Sequence, residues 1–244
     1  MKKKILVRGP VLSQSGYGEQ ARFALRALKS REDLFDIFIV PIAWGRTGWI
    51  WEESDFRRWM DERITLTQVL LQRKELNVDM SLQVTIPNEF EKFAPVNIGY
   101  TAGIETNKCS PQWLPKCNDM DKVLVVSNHA RSSIVNTVAS ATNQQTGETF
   151  DYKCTTEVDV VWENTPRHEP EPIHELNLTT DFNFLAISQI SPRKNFDNTV
   201  KWFVEEFIDQ EVGLVLKTSL VANSIMDWEH LEKRVAALLE PYSE

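Results

Sequence analysis

Two turns of the chain carry residue types that suit the binding of a phosphate group. The first spans residues 13–18 and contains Ser13, Ser15, Gly16 and Gly18, directly before a segment with helical character. Glycine allows backbone torsions that other residues resist, so backbone amides at a helix start can approach an anion closely. The turn matches neither the GxGxxG pattern of dinucleotide-binding folds nor the P-loop pattern. A ligand-binding loop and a plain structural turn both stay open.

The second turn spans residues 188–195 and places the cations Arg193 and Lys194 side by side. It follows an apolar segment of strand type at 182–187. Hydrophobic residues then recur at helical spacing as far as Phe207, before a further apolar strand at 212–218. A strand, a helix and a strand in this order predict a βαβ unit with parallel strands. Because strand-end amides and a helix N-terminus meet at such a turn, it favours an anion-binding role.

Polar residues also follow two predicted strands of the N-terminal half, 96–100 and 121–126. Thr101 and Glu105 come directly after the first strand, and Asn128 follows the second. Ligands of parallel α/β sheets bind at the carboxyl ends of the strands, so we expect these side chains near a ligand. The four histidines of the chain show no HExxH spacing. The sequence therefore predicts no metal site.

Composition sets limits on the class of protein. The chain has 244 residues with 42% hydrophobic residues, which is enough to bury a core. Its formal charge of -8 disfavours general nucleic-acid binding, which needs a basic surface. The apolar run after the N-terminal lysines is too short for a signal peptide, and no segment approaches the ~20 apolar residues of a membrane span. Three cysteines without CxxC spacing indicate reduced thiols. We expect a cytoplasmic protein.

The order of predicted elements indicates an α/β fold in two parts. Residues 1–162 alternate strands and helices and form an N-terminal domain, within which we expect a helix over 132–139 and a polar surface loop over 140–152. Residues 163–180 begin with a charged, proline-rich stretch typical of a linker. Residues 181–244 then supply a strand, a helix, a strand and a helix. Because a domain of this type usually needs about four strands or more, this second domain is expected to be incomplete.

Four segments together resemble the GT-B glycosyltransferases, specifically glycosyltransferase family 4. They are 8–22 (RGPVLSQSGYGEQAR), 97–114 (NIGYTAGIETNKCSPQWL), 121–131 (DKVLVVSNHAR) and 184–207 (FLAISQISPRKNFDNTVKWFVEEF). The resemblance covers nearly the whole chain and implies two Rossmann-like domains, with the acceptor on the N-terminal domain and a nucleotide-sugar on the C-terminal one. It implies a C-terminally truncated member of the family.

The resemblance also assigns donor-side residues. Gly16 and Gly18 match the glycine loop of the family, and Lys194 matches the lysine that neutralises the leaving diphosphate. Gln189 stands where the family usually has an arginine, so Arg193 is the expected second cation. The family's E-x7-E pair is not found in its expected context, since the pairs Glu163/Glu171 and Glu232/Glu240 lack the preceding turn. The ribose- and sugar-holding half of the donor site is therefore expected to be missing.

These expectations define one enzymatic and one non-enzymatic hypothesis. The first is transfer of a sugar from a UDP- or GDP-linked donor to an unknown saccharide, lipid or modified base, with retention, without a metal and without a cofactor. Glu105 would be its catalytic carboxylate, and Tyr17, Arg22, Thr101 and Asn128 would line the acceptor side. The second hypothesis is a non-catalytic module that binds an acceptor or partner and completes its second domain with another chain. Self-association through an open strand edge fits this alternative.

Overall fold

A computed structural model describes residues 2–142, 145–165, 169–171, 176–221 and 224–243. The chain divides into two compact units. The first contains residues 1–44 and 49–165, and the second contains residues 166–244 together with 45–48. The boundary lies within the segment that we predict to be a linker. Residues 166–168 and 172–175 of that segment lie outside the described residues.

The first unit is a Rossmann-like α/β domain. Its strands are β1 (Lys3–Gly9), β2 (Phe35–Pro41), β3 (Met80–Val84), β4 (Val96–Thr101), β5 (Lys122–Val125), β6 (Val138–Thr142), β7 (Thr149–Lys153) and β8 (Val158–Val160). Its helices are α1 (Gly16–Lys29), α2 (Asp55–Gln72), α3 (Trp113–Asn118) and α4 (Asn128–Val135). Six strands form one parallel sheet in the order β2-β1-β3-β4-β5-β8. The predicted α/β class with a parallel sheet is confirmed for this unit.

The hydrophobic sequence of β1 explains its central position. Ile5, Leu6 and Val7 are consecutive, and all three are buried. Since successive residues of a strand point to opposite faces, both faces of the sheet are covered here. α1 contributes Ala21 and Leu25 to the same core. The chain passes from β1 outward to β2 and then returns to β3 on the other side of β1. This reversal creates a crevice at the carboxyl ends of β1 and β3, where folds of this type bind ligands.

One part of the first unit differs from the prediction. The expected helix over 132–139 and loop over 140–152 are wrong, because α4 ends at Val135 and an antiparallel hairpin of β6 and β7 follows. Ala139 and Tyr152 are directly opposite each other in this hairpin. Both side chains pack against a buried cluster that includes Leu114 and Ile134. Their neighbours along each strand are exposed, so an alternating pattern was present but was obscured by serine and threonine.

The second unit contains β9 (Phe182–Gln189), α5 (Phe196–Phe207), β10 (Val212–Ser219) and α6 (Ile225–Leu239). β9 and β10 pair in parallel as a two-stranded sheet, as the βαβ pattern predicts. Phe184 of β9 packs on α5, with its ring centroid 5.3 Å from that of Phe207. A small core forms around Phe196, Val200 and Leu231. Leu231 belongs to α6, so this core joins the two helices.

Candidate functional site

The turn between β1 and α1 is held by serine hydroxyls. Ser15 is the N-cap of α1, and its Oγ accepts a hydrogen bond from the backbone N–H of Gly18 at 3.1 Å. The Ser13 hydroxyl donates to Ser15 Oγ at 2.8 Å. An N-cap serine satisfies an amide that the helix itself leaves free. The helix N-terminus is thereby fixed at the crevice between β1 and β3.

Gly16 and Gly18, both assigned to donor phosphates by resemblance, have different surroundings. A Cβ at Gly18 would lie 2.1 Å from the carbonyl oxygen of Ser13, so the fold itself requires glycine there. A Cβ at Gly16 would meet no atom within 4 Å. Gly16 is also exposed. Space for a ligand therefore exists at Gly16, whereas Gly18 packs against its own turn.

Arg22, which we expected on the acceptor side, is instead buried and stabilises the backbone of this turn. It is 2% exposed, and its Nη1 donates to the carbonyls of Val11 and Ser13 at 2.8 and 2.9 Å. Its Nη2 reaches Glu19 Oε1 at 2.6 Å. A buried guanidinium needs its donors satisfied, and these contacts supply acceptors for both terminal nitrogens. Arg22 thus fixes the backbone of the turn.

Tyr17 and Thr101 meet at the carboxyl edge of the sheet. Their hydroxyl oxygens lie 2.9 Å apart, and the Ala102 N–H donates to Tyr17 Oη at 3.2 Å. The ring of Tyr17 packs on Trp44 with centroids 4.3 Å apart. Burial raises the pKa of Tyr17, against smaller opposing effects of its hydrogen bonds to Thr101, Ala102 and Gly103. The phenol therefore stays protonated at neutral pH and can donate or accept a hydrogen bond.

Gln20 is a residue of this edge that sequence reasoning missed. It is 1% exposed, and neither its amide nitrogen nor its amide oxygen has a hydrogen-bond partner among the described residues. Burial raises the pKa of Tyr100, and the nearby Gln20 side chain lowers it by a smaller amount. The Tyr100 hydroxyl itself donates to the carbonyl of Val161 at 3.0 Å. Gln20 could have been found from the sequence, because it is a polar residue next to Ala21 on the buried side of α1.

Glu105 lies on the loop after β4 and Asn128 is the first residue of α4, and both are exposed. The loop and the helix meet where Gly103, at φ 82°, approaches Ala130 so closely that a Cβ would lie 2.6 Å from the alanine methyl group. His129 Nε2 lies 3.2 Å from the backbone carbonyl of Glu105. Glu105 is thus on the same edge of the sheet as Thr101.

In the second unit, Arg193 and Lys194 lie in a 3-10 turn, Pro192–Lys194, and both side chains are exposed. Asn195 follows in the left-handed conformation at φ 51° and starts α5. A cavity of about 340 Å³ opens beside this turn. It is lined by Ile190, Ser191, Pro192, Asn195, Phe196, Asp197, Leu220 and Arg234. The cavity therefore lies at the carboxyl ends of β9 and β10 and at the N-terminus of α5.

The N-terminus of α5 differs from those of α1, α2, α4 and α6. Those four helices each have a serine N-cap whose side chain accepts from the helix backbone. Asn195 makes no such bond within the described part of the chain, and its Oδ1 instead accepts from the Asn198 side chain at 2.8 Å. The first amides of a helix have no intrahelical partner. Those of α5 thus lack side-chain capping beside the cavity, in a position that suits an anion.

Arg234 is the second residue that sequence reasoning missed. It lies on α6, lines the cavity, and binds Asp197 through two hydrogen bonds of 2.8 and 2.9 Å. These bonds raise the pKa of Arg234. Arg234 and Asp197 are 37 residues apart, and charge patterning alone does not connect them. Gln189 stands where the GT-B family usually has an arginine, and its Nε2 donates to the Leu220 carbonyl at 3.5 Å.

Comparison with protein-family models, with curated proteins and with solved structures gave no match. Among the residues that the structure describes, no group of three or more His, Cys, Asp or Glu side chains is arranged to hold a metal ion. Within the same ranges, no helix has the length and apolar character of a bilayer span.

Proposed function

We propose that the chain is a glycosyltransferase of GT-B type that uses a nucleotide-sugar as donor. The observation that carries this proposal is the cavity of about 340 Å³ at the N-terminus of α5. It combines backbone amides without side-chain capping, the guanidinium of Arg234 and the neighbouring cations Arg193 and Lys194. A diphosphate is the anionic group that these charges suit, because it spreads two or more negative charges over several acceptor oxygens.

The proposed chemistry places these cations at the leaving group. When the bond between the sugar C1 and the diphosphate oxygen breaks, negative charge grows on the departing phosphate. Positive groups fixed in advance stabilise that charge more in the transition state than in the bound donor. In this proposal Lys194 neutralises the diphosphate. Arg234 takes the role of second cation that the resemblance left to Arg193, since Arg234 lines the cavity.

The acceptor side of the proposal lies in the first unit. Gly16 leaves open space at the start of α1, and Tyr17 and Asn128 supply a hydroxyl and an amide group at the same edge of the sheet. Such groups suit the hydroxyls of a saccharide. Thr101 is fully buried, so its part on the acceptor side is to position the Tyr17 hydroxyl. Glu105 is the carboxylate that we propose for this side. Retention of the sugar's anomeric configuration and catalysis without a metal are carried over from the family resemblance.

Isothermal titration calorimetry of the whole chain with UDP, GDP and their sugars tests the donor site. We expect saturable binding that Lys194→Ala weakens about tenfold or more, since one hydrogen bond to a charged group contributes about 1.5–3 kcal/mol. Lys201→Ala is a matched control, because this exposed lysine lies on α5 outside the turn. Equal losses in both variants, or no binding by the folded chain, would remove the donor site from the proposal.

A second candidate function rests on a different observation. Leu185 and Ile187, alternate residues of β9 and therefore on one face, are 61% and 64% exposed. We call them the outer face of β9. Apolar residues left exposed on a two-stranded sheet favour association with another chain. This supports the alternative of a partner-binding module.

The two candidates make different predictions for one double variant. Leu185→Ser/Ile187→Ser should abolish association in light scattering after size exclusion if the outer face of β9 binds a second copy of the chain. The same variant should leave nucleotide binding unchanged if the cavity at α5 is an independent site. A monomeric wild-type chain at all concentrations would exclude self-association.

A further inference from the structure

The first unit brings two of the three cysteines together. Cys117 is buried in the last turn of α3, and Cys154 is half-buried just after β7. Cys117 belongs to the buried cluster that contains Leu114 and Val123, and Cys154 packs against that cluster. Each thiol shifts the pKa of the other, so the two side chains are close together, and the Cys154 Sγ also donates to the Thr156 carbonyl at 3.7 Å. All three cysteines are free thiols in the structure.

Asn118 holds this arrangement in place. Its Nδ2 donates to the Tyr152 hydroxyl at 3.1 Å and to the Lys153 carbonyl at 3.0 Å, on one side of Cys154. Its Oδ1 accepts from the backbone N–H of Thr155 at 2.7 Å, on the other side. The residue that follows Cys117 therefore clamps the backbone on both sides of Cys154. Such a clamp restricts the distance between the backbones of the two cysteines, and a short backbone distance is one geometric condition for a disulfide bond.

We propose that Cys117 and Cys154 form a reversible disulfide when the protein meets a hydroperoxide. The Cys154 thiolate attacks the peroxide and becomes a sulfenic acid, with loss of hydroxide, which takes up a proton to give water. The Cys117 sulfur then attacks the Cys154 sulfur and expels a second water. In sum, two thiols and one hydroperoxide, here hydrogen peroxide, give one disulfide and two waters, and two electrons pass from sulfur to the peroxide oxygens.

The roles of the two cysteines follow from their exposure and electrostatics. Cys154 is accessible in part, so an oxidant can reach it, whereas Cys117 is buried. The interaction with the Cys117 thiol lowers the pKa of Cys154 to about 7 against the opposing effect of burial, and this lowered pKa favours the thiolate there. The same interaction and burial raise the pKa of Cys117. A partly exposed thiolate beside a second cysteine is the usual arrangement of a redox-sensitive pair.

Tryptic peptide mapping tests this proposal directly. Lysines directly precede all three cysteines, so Cys109, Cys117 and Cys154 fall on separate peptides, 109–116, 117–122 and 154–167. The folded wild-type chain is oxidised with hydrogen peroxide, alkylated and digested without reductant. We expect peptides 117–122 and 154–167 to be linked, about 2 Da below their summed mass. Cys109 should be alkylated, and dithiothreitol should restore three free thiols.

Three variants separate a specific pair from general oxidation. Cys154→Ser should lose the link, and Cys109→Ala should keep it. Asn118→Ala removes the clamp and keeps both thiols. This variant should form the link several-fold more slowly. Circular dichroism checks that each variant is folded. A link through Cys109, a bond between two chains, or Cys154 oxidised to sulfinic acid without a link would overturn the proposal.

Discussion

The hydroxyl of Tyr17, in the first turn of α1, lies 2.9 Å from the hydroxyl of Thr101 at the end of β4. This contact joins the glycine turn to a strand two positions away from β1 in the sheet. The Ala102 N–H also donates to Tyr17 Oη, so the phenol connects α1 with the loop that carries Glu105. Two of the residues proposed for the acceptor side are therefore coupled to each other before any ligand binds.

Tyr17→Phe should destabilise the first unit by about 1–2 kcal/mol, because the Ala102 amide and the Thr101 hydroxyl lose a partner in a half-buried site. Thr101→Val should cost a similar amount. The double variant should cost clearly less than the sum, since each single change already breaks the shared contact. Urea unfolding of all four proteins measures the coupling. Additive effects would show that the two hydroxyls do not interact.

Gly18→Ala and Gly16→Ala form a matched pair in one turn. The new Cβ at position 18 would collide with the Ser13 carbonyl, so we expect a loss of about 2 kcal/mol or more. The new Cβ at position 16 meets open space, and the change in stability should stay within about 0.5 kcal/mol. Thermal or urea unfolding compares them. Equal stability of the two variants would contradict the close approach at Gly18.

Asn97→Ala should be among the most damaging substitutions in the first unit. The buried Asn97 side chain accepts from Ser81 Oγ at 2.8 Å and from the Phe93 N–H at 2.9 Å, and it donates to the Ala94 carbonyl at 2.7 Å. Removing it leaves several polar groups unsatisfied, at a cost of about 2–4 kcal/mol. Asn88→Ala, at an exposed position of the connection between β3 and β4, is the control. A similar loss in both would exclude this network as the cause.

The strands could be predicted well because parallel strands with both faces covered read as nearly continuous apolar runs. The run 122–125 is of this kind. The segments 182–189 and 212–219 also read as apolar runs, although Leu185 and Ile187 are exposed on β9. The hairpin of β6 and β7 could not be recognised in the same way, since most of its residues are exposed and the residues that pack inward are Ala139 and Tyr152. Hydrophobicity alone gives little signal in such a segment.

The predicted site residues show a second limit of the sequence. Local spacing indicated the turns at Gly16 and Lys194, because turn chemistry is decided within a few residues. It could not distinguish the packed Gly18 from the open Gly16, nor the buried Arg22 from an accessible cation. Those differences depend on side chains and carbonyls folded back onto the turn. Long-range pairs such as Asp197 with Arg234 require the tertiary structure.

Alkylation of Cys154 by iodoacetamide should depend on pH in a way that reports its partner. Only the thiolate reacts, so reactivity rises with pH and should reach half its maximum near the pKa of about 7. Cys117→Ala removes the neighbouring thiol that lowers this pKa, while burial still raises it. The midpoint should then move up to about pH 8.5 or above. Cys109→Ala should leave the midpoint near 7, and peptide mass spectrometry measures each site separately.

Asp197 and Arg234 should have opposite effects on anion binding at the α5 cavity. Arg234→Gln removes a cation, so affinity for UDP or GDP should fall, whereas Asp197→Asn removes the competing carboxylate and should raise it. Both side chains are more than 40% exposed, so the ion pair itself contributes about 1 kcal/mol or less to stability. Changes in affinity can therefore be separated from unfolding. Calorimetry at two salt concentrations tests the charge effect, which should weaken as salt increases. A fall in affinity for both variants would indicate that the pair acts by shaping the cavity and not by its charge.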